Sequence, residues 1–315
     1  MAELAAVPGK LMLAGEYAVL RPHGLALAVA VGQVARARLS PGEPGVTVHA
    51  FDQTFALAAN QHEATGLPGF AARALGWLAE YHGLRLKRHL TLEVAGAVGG
   101  AKVGLGTSAA VTVATLRAVL QGAQVVWPAD QVADAARQIH GAGQGAGSGY
   151  DVTAIAFGGC VAYARTPDRA HRMAWPAGLH GLALFSGAPA LTQAALERVP
   201  IADAHLDAID RAARQLLAVW QGAPAAILAA LQACDAAFLQ AATADPGLVP
   251  PHVASVRARI AAHGCVARAS GAGGGDCVLA FAADAVALAS LAADWRAGGG
   301  HVVASLPQDI APEAA

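Results

Sequence analysis

The sequence predicts an α+β protein of two domains placed side by side. Short β-like runs separated by Gly and Pro fill residues 4–60, without the crossover helices of a parallel sheet, so we expect an antiparallel or mixed sheet there. Strands and helices then alternate toward the end of the chain, and a length of 315 residues also suggests about two domains. The polar segment 167–176 separates the predicted domains, which are 1–170 and 171–315.

Apolar periodicity places the elements of the first domain. The spacing of apolar residues at threes and fours predicts a helix over 67–82, which Gly83 ends. Two further helices are predicted, over 111–120 and from Pro128 to about residue 139, and a short apolar segment follows at 152–157. The predicted strands are 10–14, 17–20, 25–31, 34–39, 46–50, 54–58, 90–94 and 160–164.

The second domain begins with an apolar strand and continues with three helical patterns. A strand, a glycine-rich loop, a second strand, a helix and a last strand complete it. The predicted strands are 179–185, 265–269, 277–281 and 301–305, and the predicted helices are 203–220, 224–241, 251–262 and 284–296.

Composition and charge exclude several classes of function. The chain is 55% hydrophobic and 14% charged, and its net charge of −1 gives no electrostatic footprint for nucleic acid or an anionic membrane. The longest apolar run, 25–31, is too short to cross a bilayer, and no signal-like segment begins the chain. Cys160, Cys234, Cys265 and Cys277 show no CxxC pair, which suits a reducing compartment. We therefore predict a cytoplasmic monomer or homodimer without membrane or nucleic-acid partners.

A glycine-rich turn before the helix 111–120 is the strongest local signal. Gly104 and Gly106 disfavour strand and helix interiors, and Thr107 and Ser108 add hydroxyl groups at the helix start. A glycine turn that leads into a helix N-terminus offers unpaired N–H groups to a phosphate. On this stretch alone, a plain glycine loop with a Thr or Ser cap explains the pattern equally well.

Two further glycine loops, at 141–149 and 270–276, strengthen the phosphate interpretation, and each carries or adjoins an acidic residue. The P-loop pattern GxxxxGK[ST] does not occur. Residues 104–109 fit the dinucleotide pattern GxGxxA, but residues 95–103 separate them from the preceding strand. A dinucleotide-binding protein is therefore a weaker alternative.

Three ordered motifs resemble those of the GHMP kinases: Pro8-Gly-Lys-Leu-Met-Leu-Ala-Gly-Glu-Tyr-Ala-Val19, Gly104-Leu-Gly-Thr-Ser-Ala-Ala110 and Ser270-Gly-Ala-Gly-Gly-Gly-Asp-Cys277. Within that superfamily the chain is most similar to the phosphomevalonate kinases. Gly15-Glu-Tyr-Ala-Val19, Lys102, residues 109–115 and Asp276-Cys277 carry this closer resemblance.

The resemblance implies a fold and a reaction. It implies an N-terminal mixed-sheet domain like that of ribosomal protein S5, a C-terminal ferredoxin-like domain, and an active site between them. ATP and Mg²⁺ would be the cofactors, and the substrate would be a phosphorylated small molecule. The expected reaction converts mevalonate 5-phosphate and ATP to mevalonate 5-diphosphate and ADP. The alternatives are a mevalonate kinase or another GHMP kinase acting on an alcohol, and a non-catalytic nucleotide-binding protein that kept the loops.

The resemblance also implies roles for residues near the nucleotide. Lys10 and Asp151 would be catalytic, and Ser108 and Asp151 would contact Mg²⁺. A helix cap is the alternative for Asp151, compatible with the catalytic role, and a solvated surface lysine is the alternative for Lys102. The residues expected to bind ATP are Lys102, Gly104, Leu105, Gly106, Thr107, Ser108 and Ala109.

The remaining expected contacts are to the substrate. Asp276 stands where mevalonate kinases usually carry glycine, so we expect it to discriminate between substrates; a turn aspartate is the alternative. Lys10, Lys102 and Arg268 could bind a substrate phosphate, with Arg21 and Arg165 as further candidates. The expected substrate-binding residues are Glu16, Tyr17, Ser148, Gly149, Ser186, Thr192, Arg268, Ser270, Gly271, Gly273 and Asp276.

Three positions depart from the family pattern. Leu191 replaces a hydroxyl residue, and Arg268 replaces a lysine, which exchanges a point charge for a planar fork. The glutamate with which mevalonate kinases bind Mg²⁺, eleven residues before the catalytic aspartate, falls on His140. We interpret His140 as a helix-end residue, which leaves Asp151 as the one assigned metal carboxylate.

Overall fold

A computed structural model describes residues 3–58, 61, 64–144, 147–167, 169–190 and 201–308. The strands are β1 Glu3–Ala14, β2 Leu25–Ser40, β3 Gly45–Ala50, β4 Gln53–Ala58, β5 His89–Val94, β6 Ala97–Val98, β7 Ala101–Lys102, β8 Cys160–Ala164, β9 Arg169–Met173, β10 His180–Phe185, β11 Val266–Ala269, β12 Cys277–Ala282 and β13 Val302–Leu306. The helices are α1 Gly66–His82, α2 Thr107–Gly122, α3 Ala129–Gln144, α4 Tyr150–Phe157, α5 Asp203–Val219, α6 Pro224–Ala244, α7 Pro251–Ala262 and α8 Ala285–Ala297, with short 3₁₀ turns at Ala18–Leu20 and Pro246–Leu248.

The N-terminal part contains a seven-stranded mixed sheet, as the sequence predicts. Its strand order is β4-β3-β5-β2-β8-β9, and β1 pairs with β2. The pair β3–β5 is parallel, and the other pairs in this sheet are antiparallel. In the pairing of β1 with β2, Lys10 lies opposite Ala30.

The C-terminal part contains a four-stranded antiparallel sheet in the order β11-β12-β10-β13. Along the chain, β10 is followed by helices α5 to α7 and then by β11, β12, α8 and β13. This chain order, combined with the strand order of the sheet, is the ferredoxin-like arrangement that the family resemblance implies. The α+β class and both domain types are therefore confirmed.

Helix α2 is central to the N-terminal core. Nearly every residue from Thr107 to Leu120 is buried, because small and β-branched side chains let the helix pack against β1, β2 and three other helices. The hydroxyls of Thr112 and Thr115 accommodate this burial by donating to the carbonyls of Ser108 and Val111, at 3.1 and 2.8 Å. The glycine turn is thus attached to the most deeply packed helix of the domain.

The observed elements differ from the predicted ones at several places. The predicted strand 17–20 is a turn and a 3₁₀ helix, because Gly15 and Tyr17 adopt positive φ angles of 96° and 59° that break the extended chain. The runs 25–31 and 34–39 form one long strand, β2, and the hairpin β6–β7 was not predicted. The predicted boundary at residue 170 lies inside β9, which pairs with β8 in the N-terminal sheet.

Among the described helices, α6 has the length and apolar composition that would allow it to cross a membrane. Core helices of soluble proteins commonly share these features. Six of its side chains, including that of Phe238, are buried against the C-terminal part of the chain.

Candidate active site

A cavity of about 380 Å³ lies where β1, the glycine turn and the start of α4 face the loop between β11 and β12. Two hydrogen bonds connect this loop to the N-terminal part: the Met12 amide donates to Ser270 Oγ at 3.0 Å, and the Tyr17 hydroxyl donates to the Ala272 carbonyl at 2.6 Å. The predicted site residues on the cavity wall are Lys10, Glu16, Tyr17, Lys102, Gly104, Leu105, Gly106, Thr107, Ser108, Ser148, Asp151, Ser270, Gly271 and Asp276.

The glycine turn fits tightly against its neighbours. A Cβ atom on Gly104, whose φ is 74°, would lie 2.4 Å from Asp276 Oδ2, and a Cβ on Gly9 would lie 2.7 Å from the Leu105 carbonyl oxygen. Gly106 is the N-cap of α2 and has a left-handed backbone. The turn can therefore approach strand β1 and the facing loop only with glycine at these positions, and it presents the N-terminus of α2 to the cavity.

Lys10 places a cation beside the turn. Its Nζ donates to the Gly104 carbonyl at 3.0 Å, and its backbone amide donates to the Leu105 carbonyl at 3.0 Å. The residue is only 9% exposed. Burial by itself would lower the pKa of Lys10, but the neighbouring Tyr150 and Asp151 raise it, and the net pKa lies above the usual value for lysine. Lys10 is therefore charged at neutral pH.

Asp151 lies in the first turn of α4 and reaches the same cavity. Its Oδ1 accepts from the Val152 amide at 2.9 Å, but the N-cap of α4 is Gly149, so the alternative that Asp151 caps this helix is wrong. The side chain is 21% exposed. Burial raises the pKa of the adjacent Tyr150 hydroxyl, which keeps that group neutral. One carboxylate oxygen of Asp151 is thus fixed by the backbone, and the second faces the other charged groups.

His140 lies between Ser108 and Asp151. Its Nε2 is 3.2 Å from Ser108 Oγ, and its Nδ1 is 3.9 Å from Asp151 Oδ2. The ring is 3% exposed and stacks on Phe70, with 5.0 Å between ring centroids and 29° between planes. His140 is near the end of α3, as expected, but it also lies in the cavity wall.

Asp276 closes the cavity from the C-terminal side. Its Oδ1 accepts from the Ala190 amide at 2.9 Å, and its backbone exchanges hydrogen bonds with the Ser186 amide and the Ala188 carbonyl, each at 2.8 Å. Burial raises the pKa of Asp276, which the Ala190 amide and the charge of Lys10 only partly offset. The Asp276 side chain therefore binds a distant amide and not an amide of its own turn, and it also presents its carboxyl group to Gly104.

Arg268 is placed differently from the expectation that it contacts substrate. Its side chain is fully buried, ion-paired with Glu16, and bonded through Nε to the Leu13 carbonyl at 3.2 Å. Its Nη1 is 4.0 Å from Asp235, which itself pairs with Arg257. Burial would lower the pKa of Arg268, but the Glu16 charge raises it above its usual value. Arg268 thus joins the two parts of the chain behind the cavity wall.

Replacing Arg268 with Met is expected to lower the free energy of unfolding by about 3–5 kcal/mol, because it leaves the buried Glu16 carboxylate without its partner. Urea titration followed by circular dichroism measures this change. Arg296, an exposed arginine, provides the matched control, and its replacement with Met should change stability by no more than about 0.5 kcal/mol. The double variant E16M/R268M should lose less stability than R268M alone; an additive loss would contradict the pairing.

Four other predicted residues lie off the cavity wall. Ala109 is buried within α2, and Ser186 supports the Asp276 turn. Gly273 packs closely against Leu248, where a Cβ would lie 2.5 Å from the carbonyl oxygen. Gly149 caps α4 and lines a neighbouring cavity. Thr192, and with it Leu191, lies outside the described residues.

Two cavity residues, Tyr150 and His140, were not assigned a site role from the sequence. Tyr150 directly precedes Asp151, and its ring centroid is 5.5 Å from Lys10 Nζ. His140 stands eleven residues before Asp151, where the resemblance to mevalonate kinases implies a glutamate. Each position therefore carried a sequence signal, but the residue type did not match the expected role.

Comparison with known proteins agrees with this geometry. The family model described as the GHMP kinases N terminal domain matches residues 69–159, and the model of the GHMP kinases C terminal domain matches residues 208–301. Together they cover more than half of the chain. The chain belongs to the GHMP kinases. No curated protein sequence matches it significantly.

Several solved structures share the fold of this GHMP kinase. A Listeria innocua protein has a TM-score of 0.83 at 19% identity, covering 97% of this chain and 99% of its own. Streptococcus pneumoniae phosphomevalonate kinase, in complex with phosphomevalonate and AMPPNP, has a TM-score of 0.82 at 20% identity, covering 95% and 98%. Methanococcus jannaschii mevalonate kinase has a TM-score of 0.78 at 15% identity, covering 96% and 97%.

Proposed function

We propose that this GHMP kinase transfers the γ-phosphoryl group of ATP to mevalonate 5-phosphate, forming mevalonate 5-diphosphate and ADP. An oxygen of the substrate phosphate forms a bond to the γ-phosphorus, and the bond from that phosphorus to the β–γ bridging oxygen breaks. One observation carries the proposal: a single cavity brings together the glycine turn, the buried cation of Lys10 and the Asp151 carboxylate. Phosphoryl transfer depends mainly on such positioning and charge neutralisation.

The nucleotide phosphates bind at the glycine turn in this proposal. The N-terminus of α2 and the Lys10 ammonium both favour negative charge there. Lys102, at the end of the β6–β7 hairpin, lines the same cavity, with its Nζ 5.3 Å from the centre of the Phe51 ring. Lys102 is therefore a second cation, besides Lys10, that can contact the nucleotide.

The described residues suit a Mg²⁺ ion that arrives with ATP. They contain no group of three or more His, Cys, Asp or Glu arranged to hold a metal by themselves. Mg²⁺ in kinases is usually held by one or two carboxylates together with substrate phosphates, and Asp151 and Ser108 provide one carboxylate and one hydroxyl on the cavity wall. When bound, the ion would neutralise charge on the β- and γ-phosphates.

Asp151 has a positioning role in this reaction. The second pKa of a phosphate monoester is about 6, so the attacking oxygen is already ionised at neutral pH and needs no strong base. The Asp151 carboxylate, with one oxygen fixed by the Val152 amide, can orient the substrate and the metal. Lys10 offsets the charge repulsion between the donor and acceptor phosphates.

A neighbouring cavity of about 260 Å³ supports a phosphorylated substrate. It shares His140, Gly147 and Ser148 with the main cavity, and Arg137 and Arg165 line it. Arg137 pairs with Asp134, so in this proposal Arg165, which donates to the Leu20 carbonyl, is the cation that favours a substrate with its own phosphate. The Streptococcus pneumoniae relative is described in complex with phosphomevalonate, and the fold is shared along nearly the whole chain.

Replacing Arg165 with Met is expected to raise KM for mevalonate 5-phosphate by about 10-fold or more with a smaller change in kcat, because a charged group beside the substrate is lost. Arg165→Lys should recover part of the affinity. Arg21 is the matched control, because it pairs with Asp207 outside both cavities. Initial-rate kinetics measure the effect, and equal KM values for Arg165→Met and Arg21→Met would exclude Arg165 from substrate binding.

Mevalonate kinase is the second candidate, supported by fold similarity to mevalonate kinases, one of them in complex with R-mevalonate. The ratio of kcat/KM for mevalonate 5-phosphate to that for mevalonate, with Mg·ATP and ADP release as readout, separates the two candidates. A ratio above about 100 supports the proposal, since a site built to bind a charged group strongly rejects the analogue that lacks it. A ratio below one would assign the alcohol substrate. A cytoplasmic location and a monomeric or homodimeric state stay predictions.

A further inference from the structure

We propose that His140 is a positioning residue that accepts a hydrogen bond from the Ser108 hydroxyl, so that the Ser108 oxygen offers its lone pairs to the cation that arrives with ATP. The inference rests on the proposed function, which brings a nucleotide and a divalent cation to the glycine turn.

The geometry fixes His140 against Ser108. The Nε2–Oγ distance of 3.2 Å is a hydrogen-bond distance, and Ser108 lies in the first turn of α2, where the nucleotide phosphates are proposed to bind. Stacking on Phe70 and burial of all but 3% of the residue restrict the ring to this orientation. His140 therefore contacts Ser108 along the cavity wall, in the manner of a group that orients a ligand.

The charge near the second ring nitrogen decides which nitrogen carries the proton. Asp151 Oδ2 lies 3.9 Å from Nδ1, and a carboxylate at that distance favours a proton on Nδ1. In a neutral imidazole, Nε2 then has a lone pair and must accept, so Ser108 must donate its hydroxyl proton to it. The tautomer and the direction of the Ser108 hydroxyl are coupled through the same ring.

The direction of that hydroxyl matters for a cation. A serine hydroxyl has one proton and two acceptor lone pairs, and a proton directed at His140 leaves the lone pairs available to the cavity. Mg²⁺ prefers oxygen ligands, whereas imidazole suits softer metals. An arrangement in which His140 acts through the Ser108 oxygen therefore fits Mg²⁺ better than direct coordination by the ring.

Serine hydrolases use the same three residue types as a catalytic triad, in which a hydrogen bond joins the carboxylate to Nδ1. The corresponding distance here, 3.9 Å, is longer than a hydrogen bond. The arrangement at His140 can orient the hydroxyl of Ser108, but it lacks the direct contact that would stabilise an imidazolium during nucleophilic attack.

Three substitutions of His140 separate an orienting role from a packing role. The amide oxygen of Gln reaches the position of Nε2 and can accept a hydrogen bond from the Ser108 hydroxyl, whereas the amide of Asn reaches only the position of Nδ1. Binding of Mn²⁺ to the ADP complex, followed by electron paramagnetic resonance, provides a readout that does not depend on turnover. Thermal unfolding of each variant verifies that it folds.

We expect H140N and H140A to weaken Mn²⁺ binding to the ADP complex by about 10–100-fold, the usual effect of removing a group that orients a metal ligand. H140Q should stay within about 3-fold of the wild type. In the S108A background, H140A should weaken Mn²⁺ binding by less than about a further 2-fold, because the group that His140 orients is then absent. The Mg²⁺ concentration for half-maximal activity should follow the same order.

Two results overturn the inference while the proposed function stands. One is an equal loss of Mn²⁺ affinity in H140Q and H140A. The other is a loss of Mn²⁺ affinity from H140A that is as large in the S108A background as in the wild type. If wild-type protein does not bind Mn²⁺ with ADP, the proposed function fails, and the inference fails with it. The same titration therefore distinguishes the two failures.

Discussion

Replacing Lys10 with Met is expected to lower kcat by about 10²–10³-fold while the protein stays folded, because the variant removes the buried ammonium beside the glycine turn. The Nζ lies 3.0 Å from the Gly104 carbonyl oxygen, and its charge is maintained by Tyr150 and Asp151 despite burial. Loss of one preorganised electrostatic donor at a transition state typically has an effect of this size. Steady-state ADP release with saturating substrates measures it.

Lys87 supplies the matched control for this prediction, since it is an exposed lysine that does not line the cavity. Lys87→Met should keep kcat within about 2-fold of the wild type. Met at position 10 keeps most of the volume of the buried stem, so thermal unfolding should change little. A Lys10→Met protein that is folded and turns over at near-normal rates would remove Lys10 from the catalytic role.

Replacing Asp151 with Asn is expected to lower kcat by about 10²-fold, because the neutral amide loses the charge that orients the metal and the acceptor phosphate. The loss should have the same size from about pH 7 to 9, because a phosphate with a second pKa of about 6 is already ionised over this range. Activity that recovers fully at higher pH would indicate instead that Asp151 acts as a general base for an alcohol.

Asp130 controls for the local backbone effect of this change. Its Oδ1 accepts from the following amide, that of Gln131, at 2.9 Å, which is the same contact that Asp151 makes with Val152. Asp130 is exposed at the start of α3. Asp130→Asn should therefore reproduce any loss of helix-start stability and leave kcat unchanged. Similar activity losses in the two variants would reduce Asp151 to a structural role.

The sequence predicts those parts of the site whose local structure is determined by residues adjacent in the chain. A glycine turn before an apolar helix, and an acidic residue at the start of a short helix, follow from neighbours in the chain. The expectation that the turn 104–108, Lys10 and Asp151 share one site came from the family resemblance, and the structure puts them around one cavity.

The parts that the sequence does not predict depend on contacts between distant segments. Arg268 and Glu16 are separated by 252 positions, so no local sequence pattern predicts that their charges pair in the core. His140 acquires its place from Phe70 on α1 and Ser108 on α2. The turn at Tyr17 has the apolar neighbours of a strand, but its positive φ and its bond to Ala272 are set by the facing loop. Tertiary contacts decide all three.

Phosphorus NMR of the reaction products tests the central claim most directly. Incubation with Mg·ATP and mevalonate 5-phosphate is predicted to produce ADP together with a new pair of coupled diphosphate resonances, in equal amounts, while mevalonate in place of its phosphate gives neither. A phosphate monoester formed from mevalonate would contradict the phosphorylated-substrate claim. ADP accompanied only by inorganic phosphate, or no change with either substrate, would contradict phosphoryl transfer to this class of acceptor.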